Sequence, residues 1–268
     1  MGYPGGKGRE SVYQAIINQM PPHSIYVEPF LGGASVMMAK RPALLNIGVD
    51  KNQAALSAAR EHFCGRSLIA GNGHARAVTD SMGRSLSALF NHFDEILSWK
   101  NARPRFKFKR RDAIGFLRSF KMERARDVFM YLDPPYLVQS RRGKSAIYEH
   151  EFTDFQHIAL LKLVRSMKGP MIAISGYHSA LYDELLEGWR IVTFKNVVRS
   201  GAEVTEYLWC NYPEPIELHD YSYIGRDFRD RERIRRVQRN FVGKLRRLPP
   251  LERQALMIKA LAMMSEIE

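Results

Sequence analysis

The chain has 268 residues, 45% of them hydrophobic, which is enough for one sizeable core with small additions. Its formal net charge of +13 favours a polyanionic partner, nucleic acid first, over neutral small-molecule chemistry. The alternative is that the positive charge serves only to keep the protein in solution. The two cysteines, Cys64 and Cys210, exclude a disulfide framework and zinc-ligand spacing. Because residues 1–7 lack a signal-peptide pattern and no apolar run reaches bilayer length, we expect a soluble cytoplasmic protein.

The first predicted elements are two strand–loop–helix units. Residues 24–28 form a short apolar strand that breaks at Pro29, passes through a Gly-Gly loop and enters a helix. A second buried strand ends at Asp50 and leads into an alanine-rich helix at residues 53–63. Two such units in succession predict an α/β fold with a mostly parallel, doubly wound sheet.

In residues 65–111 the alternation of strand and helix patterns stops, and the sequence becomes rich in basic and aromatic residues towards its end. The pattern predicts an insertion whose cations neutralise phosphates, while Asn101, Arg103 or Arg105 read base edges. A solvated basic loop is the alternative.

From Asp112 the alternation of helices and strands resumes. The pattern predicts helices at 113–120, 153–167 and 180–186, strands at 128–132 and 171–175, and a terminal antiparallel hairpin with arms at 189–195 and 206–211.

The last segment, residues 214–268, has the composition of a basic amphipathic tail. Its apolar residues follow one another at helical spacing with arginines around them: Ile234, Val237, Phe241, Leu245 and Leu248. We expect this stripe to dock on the sheet while the arginines contact nucleic acid, with packing alone as the alternative.

The segment Asp133-Pro134-Pro135-Tyr136 follows a buried strand and carries the sharpest chemical pattern. Prolines fix φ and lack an N–H, which leaves the local carbonyls available to accept hydrogen bonds. Asp133 and the Pro134 carbonyl are suited to accept the two protons of an aromatic amine, and Tyr136 to stack on a flipped base. An ordinary strand-ending turn is the alternative.

Together with three other elements, this motif resembles the Dam-like family of adenine-N6 DNA methyltransferases over residues 1–212. The segments occur in the family's order: Tyr3-Pro4-Gly5-Gly6-Lys7, Val27-Glu28-Pro29-Phe30-Leu31-Gly32-Gly33, Asp50 and Asp133-Pro134-Pro135-Tyr136. The resemblance implies a Rossmann-like methyltransferase fold, S-adenosylmethionine as cofactor, no metal, and transfer of a methyl group to a flipped adenine of double-stranded DNA.

The resemblance also implies the site residues. The catalytic set is Asp133, Pro134, Pro135 and Tyr136, and the cofactor-binding set is Tyr3, Lys7, Glu28, Pro29, Phe30, Gly32, Asp50, Asp112 and Asp133. Lys7 is expected to pair with the methionine carboxylate and Asp50 with the ribose hydroxyls. Asp112 is either the acid on the adenine side or a helix N-cap.

The predicted organisation has four parts. Residues 1–64 and 112–213 form the cofactor-binding and catalytic parts of the methyltransferase domain, 65–111 is a target-recognition insertion, and 214–268 is the basic helical tail. We expect a monomer or weak dimer that acts on the nucleoid or in a phage-infected cell, in a host, phage or restriction–modification setting.

Two other enzyme classes lack their residues here. The glycines at residues 2–6 lack P-loop spacing, and Lys7 is not followed by Ser or Thr, which argues against ATP hydrolysis. Cytosine-C5 methylation uses a cysteine after a proline, whereas Cys64 follows Phe63 and Cys210 follows Trp209. Cytosine-N4 methylation of DNA, amino-methylation of RNA, and a catalytically silent DNA-binding scaffold stay open.

Overall fold

The computed structural model describes residues 10–67, 103–120, 127–137, 152–197 and 201–265. Their strands are β1 (Ile25–Glu28), β2 (Leu45–Asp50), β3 (Arg105–Arg110), β4 (Val128–Leu132), β5 (Met171–Gly176), β6 (Arg190–Val197) and β7 (Glu203–Cys210). Their helices are α1 (Glu10–Ile17), α2 (Ser35–Ala39), α3 (Gln53–Ser67), α4 (Ala113–Arg118), α5 (Asp154–Ser166), α6 (Ala180–Leu185), α7 (Phe228–Arg247) and α8 (Pro250–Ser265).

The strands form one seven-stranded sheet in the order β3-β2-β1-β4-β5-β7-β6. Strands β1 to β5 run parallel, and β7 runs antiparallel to both β5 and β6. This arrangement confirms the predicted Rossmann-like sheet with its terminal hairpin. Because the first five strands are parallel, their carboxyl ends lie at one edge of the sheet, which we call the carboxyl edge.

The core is built around the central strands. Every residue of β4 is buried, which explains why its sequence Val-Phe-Met-Tyr-Leu is apolar throughout instead of alternating. Its neighbour β5 is nearly as buried, and β7 adds Trp209, which is fully enclosed against Tyr182 of α6. These buried strands hold the carboxyl edge in a fixed geometry.

Strand β3 lies inside the range 65–111 that the sequence assigned to an insertion. It pairs in parallel with β2 along its whole length, and Phe106 and Phe108 stack on Phe63 of α3 with ring centroids 4.1 and 5.8 Å apart. The other residues of the strand are charged because it is the edge of the sheet, and this charge hid the strand pattern. The rest of the proposed insertion, residues 68–102, lies outside the described residues.

The tail consists of two helices. Pro249 and Pro250 separate two helices, α7 and α8, because a residue before proline avoids the helical conformation. No residue of α7 is buried, and Val237 and Phe241 of the apolar stripe are 56% and 53% exposed. Docking of this stripe on the sheet stays a prediction.

The described residues divide into two compact units, one that continues to Tyr221 and one that begins at Ser222. The start of the predicted tail belongs to the first unit, because the His219 N–H donates to the Met20 carbonyl at 2.8 Å. The Arg41 N–H likewise donates to Asp220 at 2.7 Å. The compact unit that contains the sheet thus continues to Tyr221, and the four-part organisation expected from the sequence stays a prediction.

In the part of the chain that the structure describes, no helix combines the length and the apolar character needed to cross a membrane.

Candidate active site

The site lies where the strand order reverses. From β1 the chain continues outward to β2, whereas from β4 it continues to β5 on the other side, and β1 and β4 are neighbours. In open α/β sheets a crevice forms at the carboxyl edge of such a pair. Pairing of Val27 with Met130 brings the loop after β1 beside the Asp133–Tyr136 segment after β4. Two motifs about a hundred residues apart in sequence meet there.

The loop after β1 is held by backbone contacts with β2. The Leu31 N–H donates to the Val49 carbonyl at 3.0 Å, and the Gly32 N–H donates to Asp50 Oδ2 at 2.8 Å. Gly32 has a φ of 46°, in the left-handed region that glycine adopts without strain. A side chain at Gly48 would lie 2.9 Å from both Leu31 and Phe108. Glycine at that position therefore allows the loop to pack closely on the sheet.

Two acids follow β2 and β3 at the carboxyl edge. Asp50 is half-buried, and its Oδ1 accepts the Asn52 N–H at 2.8 Å. Asp112 caps α4 by accepting the Gly115 N–H at 2.6 Å, and its Oδ1 lies 3.6 Å from Lys51 Nζ. The N-cap alternative for Asp112 is thus observed. Its contact with the cofactor remains a prediction.

Glu28 at the end of β1 is buried, with 3% of its surface exposed. The Tyr26 hydroxyl donates to its Oε2 at 2.9 Å. Burial raises the pKa of Glu28 to about 8, against the effect of this hydrogen bond, and the charge of Asp133 adds to the rise. Burial also lowers the pKa of Lys40 to about 7, against the attraction of Glu28. Both groups favour their neutral forms because the protein interior solvates charge poorly.

Asp133 ends β4 and is oriented by β5. The Ser175 hydroxyl donates to Asp133 Oδ1 at 2.8 Å, and the Tyr131 hydroxyl lies 2.9 Å from the same Ser175 oxygen. Since Ser175 uses its single proton towards Asp133, Tyr131 is the donor in the second bond. This chain of hydroxyls fixes the carboxylate at the edge of the sheet.

Tyr136 is also fixed, by residues beyond the motif. It is 7% exposed, its hydroxyl donates to Glu206 Oε2 at 3.0 Å, and its ring meets the edge of Tyr177 at a centroid distance of 4.6 Å. Glu206 on β7 is 2% exposed and also accepts the Asn196 side-chain amide at 2.6 Å. Sequence analysis missed these partners and Ser175. The only signal was an acid in the otherwise apolar run before Cys210.

Most of the predicted site residues lie at this edge. The structure brings together Glu28, Pro29, Phe30, Gly32, Asp50, Asp112, Asp133, Pro134, Pro135 and Tyr136. Phe30 packs edge-on against Phe152 with ring centroids 5.5 Å apart. Tyr3 and Lys7 lie outside the described residues. Among the residues that are described, no group of three or more His, Cys, Asp or Glu side chains is placed to hold a metal ion.

The sheet order defines the class: a Rossmann-like α/β fold in which the predicted site residues lie at the β1–β4 switch point. Residues 93–199 match the family model of D12 class N6 adenine-specific DNA methyltransferases. The match spans β3 to β6 and includes the Asp133–Tyr136 segment. It confirms the resemblance predicted from the sequence, including its cofactor, S-adenosylmethionine, and it supports methyl transfer as the class of reaction.

Similar solved structures have low sequence identity. Precorrin 8W decarboxylase of Methanobacterium thermoautotrophicum is 10% identical, with a TM-score of 0.41, over 79% of this chain and 94% of that protein. A conserved hypothetical protein of Streptococcus pyogenes is 14% identical, with a TM-score of 0.41, over 78% and 100%. A SAM-dependent methyltransferase of Agrobacterium tumefaciens is 12% identical, with a TM-score of 0.38, over 74% and 58%. Among curated protein sequences, none matches significantly.

Proposed function

We propose that the chain transfers a methyl group from S-adenosylmethionine to the exocyclic N6 amine of an adenine in double-stranded DNA. One observation carries the proposal: Asp133-Pro134-Pro135-Tyr136 ends β4 at the switch point, with Asp133 oriented by Ser175 and Tyr136 held by Glu206. The family match over the same segment supports the adenine amine as the methyl acceptor.

The residues at the carboxyl edge fit a nucleoside cofactor. Asp50 and Asp112 are only partly buried, and their carboxylates follow adjacent strands. Carboxylates accept hydrogen bonds from ribose hydroxyls and from the amine of an adenine ring. The family resemblance assigns Tyr3 and Lys7 to the cofactor pocket, with Lys7 paired with the methionine carboxylate. When bound, S-adenosylmethionine supplies a sulfonium methyl group that an amine attacks directly.

The protein's own contribution is to prepare the amine. The nitrogen of an aromatic amine is a poor nucleophile because its lone pair is delocalised into the ring. Asp133 and the Pro134 carbonyl accept hydrogen bonds from its two N–H groups, which returns electron density to the nitrogen. The Ser175 hydroxyl holds Asp133 in one orientation, so this acceptor needs no rearrangement when the substrate arrives. Further rate enhancement comes from holding amine and methyl group in line.

We assign Tyr136 the role of stacking on the face of the target base. A base inside a duplex is inaccessible to this chemistry, so it must rotate out of the stack and meet a surface in the site. Aromatic rings stack on any base, and the ring of Tyr136 is held by the hydrogen bond of its hydroxyl and by its packing against Tyr177. The net charge of +13 supplies the electrostatic attraction to DNA.

The first experiment is tritiated methyl transfer from S-adenosylmethionine to unmodified duplex DNA, followed by nucleoside mass spectrometry and mapping of the modified positions. N6-methyladenine in one short motif supports the proposal. Formation of N4-methylcytosine, or methyl transfer to RNA alone, assigns a different substrate to the same amine chemistry. No incorporation in any substrate, with cofactor binding intact by calorimetry, identifies a silent DNA-binding scaffold.

A further inference from the structure

The hairpin of β6 and β7 extends past the end of β5. Gly176, the last residue of β5, pairs with Tyr207, so Glu206 lies one residue beyond the β5 ladder. Asn196 lies further along β6 in the same direction, since Phe194 pairs with Glu206 and Asn196 with Val204. The hairpin therefore forms a wall beside the carboxyl edge, next to Tyr177 and the Asp133–Tyr136 segment.

Glu206 is a buried acid on this wall. It is on the same face of β7 as Leu208 and Cys210, both of which are fully buried. A carboxylate in such a place destabilises the fold unless its oxygens are hydrogen-bonded. Oε2 accepts from the Tyr136 hydroxyl and Oε1 accepts from the Asn196 amide, so both oxygens have partners.

We infer that Glu206 is a positioning residue for methyl transfer: through the Tyr136 hydroxyl it fixes the plane of the ring on which the target base stacks. This inference rests on the proposed function. A hydrogen bond to a carboxylate is stronger than one between neutral groups, and it restrains the ring at the end furthest from the backbone. Tyr177 closes the other side of Tyr136 edge-on. The ring plane is thus set by residues on or directly after β4, β5 and β7, and not by the catalytic segment alone.

The contribution of Glu206 is separable from simple packing by a double-mutant cycle. Single-turnover methyl transfer at saturating cofactor and DNA is measured for Tyr136→Phe, Glu206→Ala and the double variant. We expect each single variant to be slower by roughly 10- to 100-fold, the effect of losing one hydrogen bond to a charged group. The double variant should be no slower than the slower single variant, because Glu206 acts only through the hydroxyl that Tyr136→Phe removes.

Glu206→Gln tests the same contact by conservative replacement. Its amide oxygen accepts from Tyr136. Its amide nitrogen faces Asn196 Nδ2 and donates to Asn196 Oδ1 once the Asn196 side-chain amide rotates by half a turn, since that oxygen has no hydrogen-bond partner among the described residues. This variant should recover most of the rate lost in Glu206→Ala. Glu203→Gln is the matched control, since Glu203 lies on the same strand but is exposed and paired only at the surface with Lys195 at 3.2 Å.

Calorimetry of S-adenosylmethionine binding and thermal unfolding accompany the rates. Unchanged cofactor affinity with a reduced rate supports positioning of the base. Additive losses in the cycle, or a Glu206→Gln rate equal to that of Glu206→Ala, overturn the inference while leaving the proposed function intact. Failure of the unsubstituted chain to methylate any nucleic acid overturns both. If Glu206→Ala fails to fold, Tyr136→Phe and Glu206→Gln decide the matter, because the inference requires the first to be slow and the second to be fast.

Discussion

The carboxyl edge of the sheet and the tail at residues 222–265 both carry strong sequence patterns, yet they present their polar groups in opposite ways. At the carboxyl edge, Glu28 and Glu206 are buried and their carboxyl groups accept specific hydrogen bonds. In α7 no residue is buried, and Asp230 pairs with Arg233 at 2.8 Å on the surface. Function at the edge thus depends on the positions of individual atoms, whereas a contribution from the tail depends on the number of its charges.

This difference predicts that single atoms matter most at Asp133. Replacing Asp133 with Asn removes the negative charge that accepts the amine proton but keeps an oxygen for Ser175, so methyl transfer should fall by about 1,000-fold or more. DNA binding should be retained. Asp127→Asn is the control, because Asp127 lies at the opposite end of β4 and binds Ser24 at 2.8 Å on the surface. Unchanged turnover of Asp133→Asn would contradict the assigned mechanism.

The tail should respond to loss of charge, not to loss of one residue. A chain ending at Tyr221 keeps the bond between Asp220 and Arg41 but lacks both tail helices. We expect its DNA affinity to fall by roughly 10- to 100-fold in low salt and its salt dependence to become shallower, because fewer phosphates are neutralised. Binding measured by fluorescence anisotropy across a salt series tests this. A slope equal to that of the full chain would show that the tail makes no phosphate contacts.

Burial of Glu28 makes the stability of the fold depend on pH. Because burial raises its pKa from the ordinary 4.5 to about 8, the unfolded chain ionises Glu28 in this window while the folded chain keeps it protonated. Its contribution to stability therefore falls as the pH rises from about 4.5 to about 8. Lys40 acts in the opposite sense between about 7 and 10.5, where stability rises with pH.

Glu28→Gln should accordingly remove the fall in stability between pH 5 and 7 and raise the free energy of unfolding at pH 7 by roughly 2 kcal/mol. Urea denaturation of both proteins at several pH values measures this. Glu203→Gln, which alters an exposed acid, serves as the control. The same pH slope in Glu28→Gln and in the unsubstituted chain would contradict the assignment.

The smallest effect is expected in the apolar stripe of α7. Phe241 is 53% exposed, so Phe241→Ser should change the free energy of unfolding by less than about 0.5 kcal/mol. Leu132 of β4 is fully buried, and Leu132→Ala should cost about 3 kcal/mol. Chemical denaturation of the two variants compares the regions directly. A large loss of stability in Phe241→Ser would mean that the apolar stripe is buried in solution.

The elements of the inner sheet were predictable because each had a local signal. Continuous apolar runs marked β4 and β5, and Pro29 and Asp133 marked the ends of their strands. Strand β3 was not recognised, since the charged residues of an edge strand give it the composition of a loop. The stripe of α7 predicted a helix correctly, but a helical pattern does not state what packs against it.

The sequence by itself determined the class of fold and the family resemblance, and it proposed the catalytic segment, because these depend on residues that are neighbours in the chain. The tertiary structure alone decided how that segment is held. Ser175 lies 42 residues from Asp133, and Glu206 lies 70 residues from Tyr136. These contacts arise from the order and register of β4, β5 and β7, which no local pattern encodes.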